Sequence, residues 1–403
     1  MSVLSGKKVL LGITAGIAAY KTAFLVRLLI KKGASVRVVM TPKAKEFVTP
    51  LTLSTLSKNE VLSSFTEEDD SAQWNNHVEL GLWADLFLIA PATANTLSKM
   101  SSGNSDNFLV ATYLSAKCPV YFAPAMDLDM YQHPSSKESF KILQSFGNIM
   151  IPATHGELAS GLVGKGRMAE PEDIVSFIEE HLLSTMPLYG KQVLVTAGPT
   201  YEAIDPVRFI GNHSSGKMGY AIAHAAAQQG AQVHLVSGPT HLEVTHPFIK
   251  KIPVTSAQEM YDACHVVFSN CNVAILSAAV ADFRPSDVAT QKIKKSGDNT
   301  MTITLEQTKD ILASLGAIKE HQYLVGFALE TENELANAKT KLEKKNLNLI
   351  VLNSLNDEGV GFGSDTNKVT LIEENNKTTP FEVKPKTEVA KDLIQFIIEK
   401  LHA

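Results

Sequence analysis

The stretch VLLGITAGIAAYK, residues 9–21, together with its later counterpart VLVTAGPT, residues 193–200, decides the fold. In the first, an apolar run reaches Gly12, Thr14 and Gly16 and passes Ile17 into an apolar helix. It emerges as a second buried run, GASVRVVMT, residues 33–41, which ends at Thr41. The order recurs in the second: apolar run, Gly/Thr turn, loop, helix, then GAQVHLVSGPT, residues 230–240. Each is the βαβ opening of a parallel sheet, whose first turn and following helix N-terminus suit a phosphate group. Two such openings predict an α/β protein of two Rossmann-like domains, each a mostly parallel sheet flanked by helices, with two nucleotide-type sites.

A chain of 403 residues accommodates two domains of ordinary size. The linker is expected within STMPLYGK, residues 184–191, which places the domains at 1–186 and 187–403. With 44% hydrophobic and 20% charged residues the composition is that of a folded globular protein. A net charge of -5 argues against nucleic-acid or anionic-membrane partners. Cys118, Cys264 and Cys271 show neither metal-ligand spacing nor a disulfide framework, as expected of the cytoplasm, and no signal peptide or membrane-length span is evident. Further strands are expected at 84–90, 119–123, 272–279, 323–328 and 349–353, and helices from 107 and at 171–183, 217–229 and 334–345. Residues 156–168 carry too many glycines for an element and read as a mobile loop, as does KIKKSGDN, residues 292–299.

Several constellations carry chemistry. GNHSSGKM, residues 211–218, nearly spells a phosphate-binding P-loop, but Met218 stands where a hydroxyl must hold Mg²⁺, and the stretch does not leave its strand directly. What survives is a donor-rich anion cradle, opening on Asn212, at the start of a helix. Asp282 ends a strand and stands beside Lys292, Lys294 and Lys295, a pairing that suits an anionic substrate and a metal ion. Lys341 and Lys345 share one helix face. In the first half, His77, Asp127 and Ser160 formally offer a hydrolase triad, although Ser160 lacks a nucleophile-elbow setting.

Taken in order, the motifs resemble the bifunctional enzymes of coenzyme A biosynthesis that join phosphopantothenoylcysteine decarboxylase to phosphopantothenate–cysteine ligase. The resemblance rests on GITAGIAAYK, HVELGLWAD, APATANT, GNSDN, PAM and GKGRM in the first half. In the second it rests on TAGPTYEAIDPVRFIGNHSSGKMG, LVSGPT, AAVADF, KIKK, VGFALET and LNLIVLN. It implies that the second domain activates 4′-phosphopantothenate with CTP as an acyl-cytidylate, which the amine of cysteine then attacks. Asn212 would lie near the acyl group and Lys292 on the phosphates. Ser277, Ala278, Asp282, Phe327, Lys341 and Lys345 would line the cytidine nucleotide, with Lys309, Asp310 and Ile311 in a segment where the family has N-P-D-I. A divalent cation, Mg or Mn, is implied, with Asp282 its one candidate ligand. The first domain would bind FMN through Gly12, Thr14, Gly16, Ile17, Thr41, Pro91, Thr93 and Asn95, with His77 as the family's essential histidine. The flavin provides the electron sink for decarboxylation. The family assembles from trimers of the flavin domain and dimers of the ligase domain into a dodecamer, so a homo-oligomer acting on small molecules is expected.

Two residues depart from the family pattern. Asp127 replaces the asparagine of P-x-M-N that holds the substrate carboxylate, and Ser160 replaces the proton-donating cysteine of A-C-G. An ionised Asp127 about 4 Å from a carboxylate would cost roughly 4 kcal/mol at an effective dielectric of 20. A serine hydroxyl is also a far weaker acid than a thiol. The departures compensate if Asp127 binds substrate in its protonated form and supplies the proton that Ser160 cannot. Three alternatives stand beside this reading: a ligase whose flavin domain is a silent assembly scaffold, a Ser160–His77–Asp127 hydrolase, and a nicotinamide oxidoreductase.

Overall fold

A computed structural model describes residues 2–66, 74–294, 301–330, 332–354 and 364–402. The chain divides into two compact units, Met1–Leu183 and Ser184–Ala403, so the division falls three residues before the position expected from the linker composition.

Unit 1 is built on strands β1 (Lys8–Ile13), β2 (Ser35–Met40), β3 (Val61–Leu62), β4 (Leu86–Ala92), β5 (Val120–Pro124) and β6 (Ile149–Met150). They pair in the order β3-β2-β1-β4-β5-β6, every pair parallel. The helices are α1 (Thr22–Lys31), α2 (Pro50–Ser57), α3 (His77–Trp83), α4 (Ala94–Ser102), α5 (Phe108–Ser115), α6 (Leu128–Gln132), α7 (Pro134–Ser145) and α8 (Pro171–Ser184). Strands β1 and β4 are near-continuous apolar runs because helices cover both faces of the sheet. Val9, Leu11 and Ile13 pack with Leu25, Leu29, Ile174 and Ile178 on one face. Leu10, Phe87 and Ile89 pack with Leu97, Phe108, Leu109 and Leu143 on the other.

The segment 156–168 is not a loop. It forms most of an antiparallel hairpin, β7 (Thr154–Glu157) with β8 (Val163–Arg167). Its glycines serve packing: a Cβ on Gly164 would stand 2.5 Å from Leu128 Cδ1, and one on Gly166 would stand 2.5 Å from the Met126 carbonyl oxygen. Met126 N donates to the Gly166 carbonyl at 3.1 Å, so the hairpin sits directly on the turn after β5.

Unit 2 repeats the plan. Its strands are β9 (Gln192–Ala197), β10 (Tyr201–Ala203), β11 (Phe209–Gly211), β12 (Gln232–Ser237), β13 (Ile249–Pro253), β14 (Val273–Leu276), β15 (Phe283–Pro285), β16 (Leu305–Gln307), β17 (Tyr323–Glu330), β18 (Leu349–Ser354), β19 (Thr366–Asn367), β20 (Val369–Glu373), β21 (Thr378–Pro380) and β22 (Lys384–Pro385). Its helices are α9 (Lys217–Gln228), α10 (Ala257–Phe268), α11 (Ile311–Ala317), α12 (Glu334–Lys344) and α13 (Lys386–Leu401). The main sheet runs β13-β12-β9-β14-β17-β18-β20-β21. The first six strands are parallel and reproduce the order of unit 1, and β20 and β21 extend them antiparallel. Helices α9 and α13 cover one face through Tyr220, Ile222, Leu393 and Ile397, and α10, α11 and α12 cover the other through Met260, Leu315 and Leu342. All three cysteines are free, and burial pushes the Cys264 thiol up to about 12, which leaves it inert in the core.

In both units the third and fourth strands of this order, β1 and β4 in unit 1 and β9 and β14 in unit 2, lie side by side and their chains leave in opposite directions, which opens a crevice at the strand C-termini. A buried threonine stitches each crevice. Thr196 Oγ1 accepts from Ser277 N and Ala278 N, both at 3.1 Å. Thr14 Oγ1 accepts from Thr93 N at 3.1 Å and donates to the Pro91 carbonyl at 2.7 Å. Thr196→Val keeps the shape but strands two backbone donors, so it is expected to destabilise unit 2 by roughly 1–3 kcal/mol in chemical denaturation.

Candidate functional site

A cavity of about 1070 Å³ occupies the crevice of unit 1. Its wall is formed by Ala15, Gly16 and Ile17 after β1, Thr41 and Lys43 after β2, Thr93, Asn95 and Thr96 at the start of α4, and Met126 and Asp127 after β5. Glu157 and Arg167 of the β7–β8 hairpin complete it. Of the residues expected to touch a flavin, the fold gathers Gly16, Ile17, Thr41, Thr93 and Asn95 here and leaves three out. Gly12 lies inside β1, where a Cβ would press on Phe87 at 3.0 Å, and Thr14 is fully buried. Pro91 lies within β4, its carbonyl taken by Thr14.

The wall is charged, and most of its cations are already partnered. Lys21, with a side chain only 6% exposed, donates to Glu170 at 2.8 Å and to the Met168 carbonyl at 3.2 Å. Arg167 meets the same Glu170 at 2.7 Å, and Lys21 first and Arg167 second hold that carboxyl below its usual range. Lys99 pairs with Asp106 at 2.5 Å. Among the described residues Thr41 Oγ1 is buried without a hydrogen-bond partner, and the N-terminus of α4 has no side-chain cap, so acceptor and donor groups are left for a ligand.

His77 and Ser160 are not in this wall. His77 opens α3 among Phe65, Trp74 and Phe108, with ring centroids 5.8, 5.9 and 6.5 Å away, and its Nδ1 is buried without a partner among the described residues. Ser160 is exposed at the hairpin tip, where its hydroxyl accepts a 3.5 Å bond from Leu162 N. Asp127 is the N-cap of α6 and its Oδ1 accepts from Leu128 N at 2.6 Å. No hydrogen bond links the three, so the triad is not assembled.

The second cavity, about 590 Å³, fills the crevice of unit 2. Asn212, Ser277, Ala278, Asp282, Phe327 and Lys341, far apart in sequence, meet in its wall beside the donor-rich segment 211–219. Asn212 Nδ2 donates to the Val280 carbonyl at 2.9 Å, and Lys341 Nζ donates to the Phe327 carbonyl at 3.0 Å. The remaining residues of the set lie elsewhere. Lys309 stands over the Tyr261 ring at 4.7 Å, Lys345 pairs with Asp310 at 2.7 Å, and Ile311 is core. Asp310 also caps α11 through Ala313 N at 2.9 Å.

Three wall residues were given no site role by the sequence reading: Asn353, quoted above only as the end of LNLIVLN, whose Oδ1 is buried without a partner among the described residues, Asn367 and Lys386. Burial, and then repulsion from Lys217, lower the pKa of Lys386. They come from β18, β19 and α13, and no local spacing links those elements to the GNHSSGKM loop. Among the described residues no group of three or more His, Cys, Asp or Glu side chains is arranged for a metal, so Asp282 belongs to no such group.

Lys292 and Lys294 are exposed, Lys295 lies outside the described residues, and the base of their segment is tied down. Asp205, 3% exposed, bonds the Arg208 guanidinium and accepts from Val207 N, Arg208 N and Ile293 N at 2.8, 2.9 and 3.1 Å. Arg208 in turn donates to the Ile293 carbonyl at 2.9 Å. The DPVRF stretch, quoted above only as part of a motif, is thus the anchor of the lysine segment.

Comparison with known proteins bears on both units. A flavoprotein family model matches residues 2–183, and that of the DNA/pantothenate metabolism flavoprotein C-terminal domain matches residues 188–401. The chain is 54% identical over 360 residues to a cysteine/cysteine sulfinic acid decarboxylase from an unknown prokaryotic organism, a match covering 88% of this chain and 100% of that one. It is 45% identical over 398 residues to the coenzyme A biosynthesis bifunctional protein CoaBC of Bacillus subtilis strain 168, covering 98% and 97% of the two chains. The CoaBC of Vibrio parahaemolyticus is 48% identical over 375 residues, with 92% and 93% covered.

Asp205→Ala is expected to speed amide exchange at Ile293 at least about tenfold, since a charge-assisted anchor is lost. The Arg208 guanidinium, and after it the backbone donors, hold the Asp205 carboxyl well below its ordinary range. A depressed carboxylate contributes above its unfolded pKa and fails only as pH falls through the folded value. The protection in the parent chain is therefore expected to persist through the ordinary carboxylate range and to vanish only in stronger acid.

Proposed function

This chain belongs to the family of coenzyme A biosynthesis bifunctional proteins, and on that premise we propose that it carries both of the family's activities. Unit 2 is the ligase, joining cysteine to 4′-phosphopantothenate with CTP. Unit 1 is the FMN-dependent decarboxylase that removes the carboxylate of the cysteine moiety and leaves 4′-phosphopantetheine. The observation that carries the reading is the convergence of Asn212, Ser277, Ala278, Asp282, Phe327 and Lys341 on one crevice.

In unit 2 the carboxylate of 4′-phosphopantothenate attacks the α-phosphorus of CTP, pyrophosphate leaves, and the amine of cysteine displaces CMP from the acyl-cytidylate. Asn212, oriented by the Val280 carbonyl, serves the acyl group. Lys292 meets the charge that grows on the departing pyrophosphate. Lys341 orients the end of β17 where Phe327 flanks the base. The divalent cation arrives with the triphosphate as part of the co-substrate, which agrees with a single wall carboxylate, Asp282.

The residues of the first cavity fit FMN. The buried, unpartnered Thr41 hydroxyl, the uncapped start of α4 with Asn95 and Thr96, and the close approach allowed at Gly16 are what a phosphate-bearing planar ligand needs. When bound, the flavin supplies the electron sink for carbon dioxide loss. His77 lies outside the wall, and α3 exposes Val78 and Leu82, at 44% and 64%. Assembly as a homo-oligomer, with trimers of unit 1 and dimers of unit 2, would bring His77 to the cavity of a second copy. No helix among the described residues is long and apolar enough to cross a membrane, and we place the protein in the cytoplasm.

The purified chain is expected to hold FMN, visible in its absorption spectrum, and to release pyrophosphate only when CTP, 4′-phosphopantothenate and cysteine are all present. Lys292→Gln should lower the rate of that release by roughly 10²–10³-fold, and Thr41→Val should weaken FMN binding several-fold by loss of about 0.5–1.5 kcal/mol of hydrogen bonding. A colourless protein that leaves CTP intact would refute the reading.

A further inference from the structure

In the wall of the unit 2 cavity two lysines share one carboxylate. Helices α9 and α13 pack against each other, and each opens on a lysine at this cavity, Lys217 and Lys386. Neither helix has a side-chain N-cap. A cation in the first turn faces the positive end of the helix dipole, where a carboxylate is the stabilising choice, and the two half-buried ammonium groups also repel each other. The anion that offsets this arrangement is Asp365. Lys217 Nζ donates to its Oδ1 at 2.6 Å, and the Lys386 backbone N–H donates to its carbonyl at 2.8 Å. Lys217 first, and Lys386 after it, hold the Asp365 carboxyl below its ordinary range, so both lysines act on the one anion. Its side chain is 86% exposed, and water therefore screens much of its charge. The acid in the first turn of α13, Glu388, is taken by Lys391 at 2.9 Å. In the same wall Asn353 Oδ1 is buried without a partner among the described residues, an acceptor left for a donor on whatever enters.

We propose that Lys217 and Lys386 form a phosphate subsite of unit 2, in which a substrate phosphate takes the place of the Asp365 carboxylate and Asn353 accepts a hydrogen bond from a hydroxyl or N–H of the same substrate. The proposal rests on the reading of unit 2 as the ligase and names the side chains that hold a phosphate there. A phosphate suits the place better than the carboxylate does. It carries more charge and three oxygens, enough to serve both ammonium groups and the uncapped N–H groups where the two helices begin. Asp365 is then the counter-ion that keeps the lysines together until the substrate arrives. Two substrates of unit 2 bring such a group: CTP at its terminal phosphates and 4′-phosphopantothenate at its 4′-phosphate. Cysteine brings none.

The test follows pyrophosphate release by the full chain and reads KM separately for CTP, 4′-phosphopantothenate and cysteine. In Lys386→Gln the KM of a phosphate-bearing substrate is expected to rise by about tenfold or more, while that of cysteine stays within roughly twofold. Lys386→Arg, which keeps the charge, should recover most of the loss. A rise for CTP puts its terminal phosphates in the subsite, and a rise for 4′-phosphopantothenate puts the 4′-phosphate there. Asp365→Asn removes the competing carboxylate and should lower the KM of a phosphate-bearing substrate several-fold, the opposite of what structural damage does. Because Asp365 is exposed, that variant decides the matter should Lys386→Gln fail to fold. The proposal is overturned if Lys386→Gln leaves both phosphate-bearing substrates unchanged or raises cysteine equally, or if Asp365→Asn binds neither more tightly than the parent. In each of those cases the parent still releases pyrophosphate, and the ligase reading stands. A parent that releases none removes both.

Discussion

The position on which both halves depend is a buried threonine hydroxyl where the first strand of each sheet ends. In a doubly wound sheet the crevice opens between two adjacent strands whose chains turn opposite ways, so the backbone donors leaving the second strand lose their sheet partners just where they become buried. Thr196 supplies one oxygen to two such donors, and Thr14 accepts one and donates a hydrogen bond to the Pro91 carbonyl. An unmade bond at either place would cost the full desolvation of an amide in a dry setting. The hydroxyls fix the loops that carry Thr93 and Asn95 in one unit and Ser277 and Ala278 in the other. The two cavities are therefore shaped before any ligand arrives.

That same feature marks how far the sequence could be read. The two apolar–Gly/Thr–helix–apolar openings were legible because the periodicity of buried strands and amphipathic helices is local, and the parallel order follows from right-handed crossovers. Thr14, at the tip of such an opening, reads as a ligand contact, and only the neighbouring strand reveals that it faces inward. The hairpin at 154–167 was missed for a related reason. Glycine breaks regular structure when judged alone, yet Gly164 and Gly166 are there because Leu128 and the Met126 carbonyl leave no room for a Cβ. The site roles of Asn353, Asn367 and Lys386 were invisible because β18, β19 and α13 reach the cavity through sheet order. Lys309, Asp310 and Lys345 illustrate the converse. Charges in a motif can be spent on an aromatic face, a helix cap and an ion pair without touching the cavity.

Charge is handled locally in both units, against a net value of -5 for the whole chain. Lys21 is almost fully buried, and such a cation is tolerable only with a partner, which Glu170 and the Met168 carbonyl provide. Lys217 likewise faces Asp365 at 2.6 Å, and Lys386 sits close enough to feel both. The cations around each crevice are thus largely held in neutralised clusters. An anionic ligand entering a crevice so arranged meets oriented backbone and amide donors first, and draws on the lysines only by competing with their carboxylates.

The contrast between Asp127 and an asparagine at the same place separates shape from charge. Either residue caps α6, either fills the same volume between the hairpin and the cavity, and either presents an oxygen to a donor. Only the charge differs, and its sign matters most for the cysteine moiety that both units handle. As a nucleophile in unit 2, cysteine must present a neutral amine. Once acylated it has lost that basic nitrogen for good, and the carboxylate is then its sole charge near the reacting carbon. A fixed carboxylate in the wall of unit 1 meets that product with like charge, where an asparagine would meet it with an amide donor.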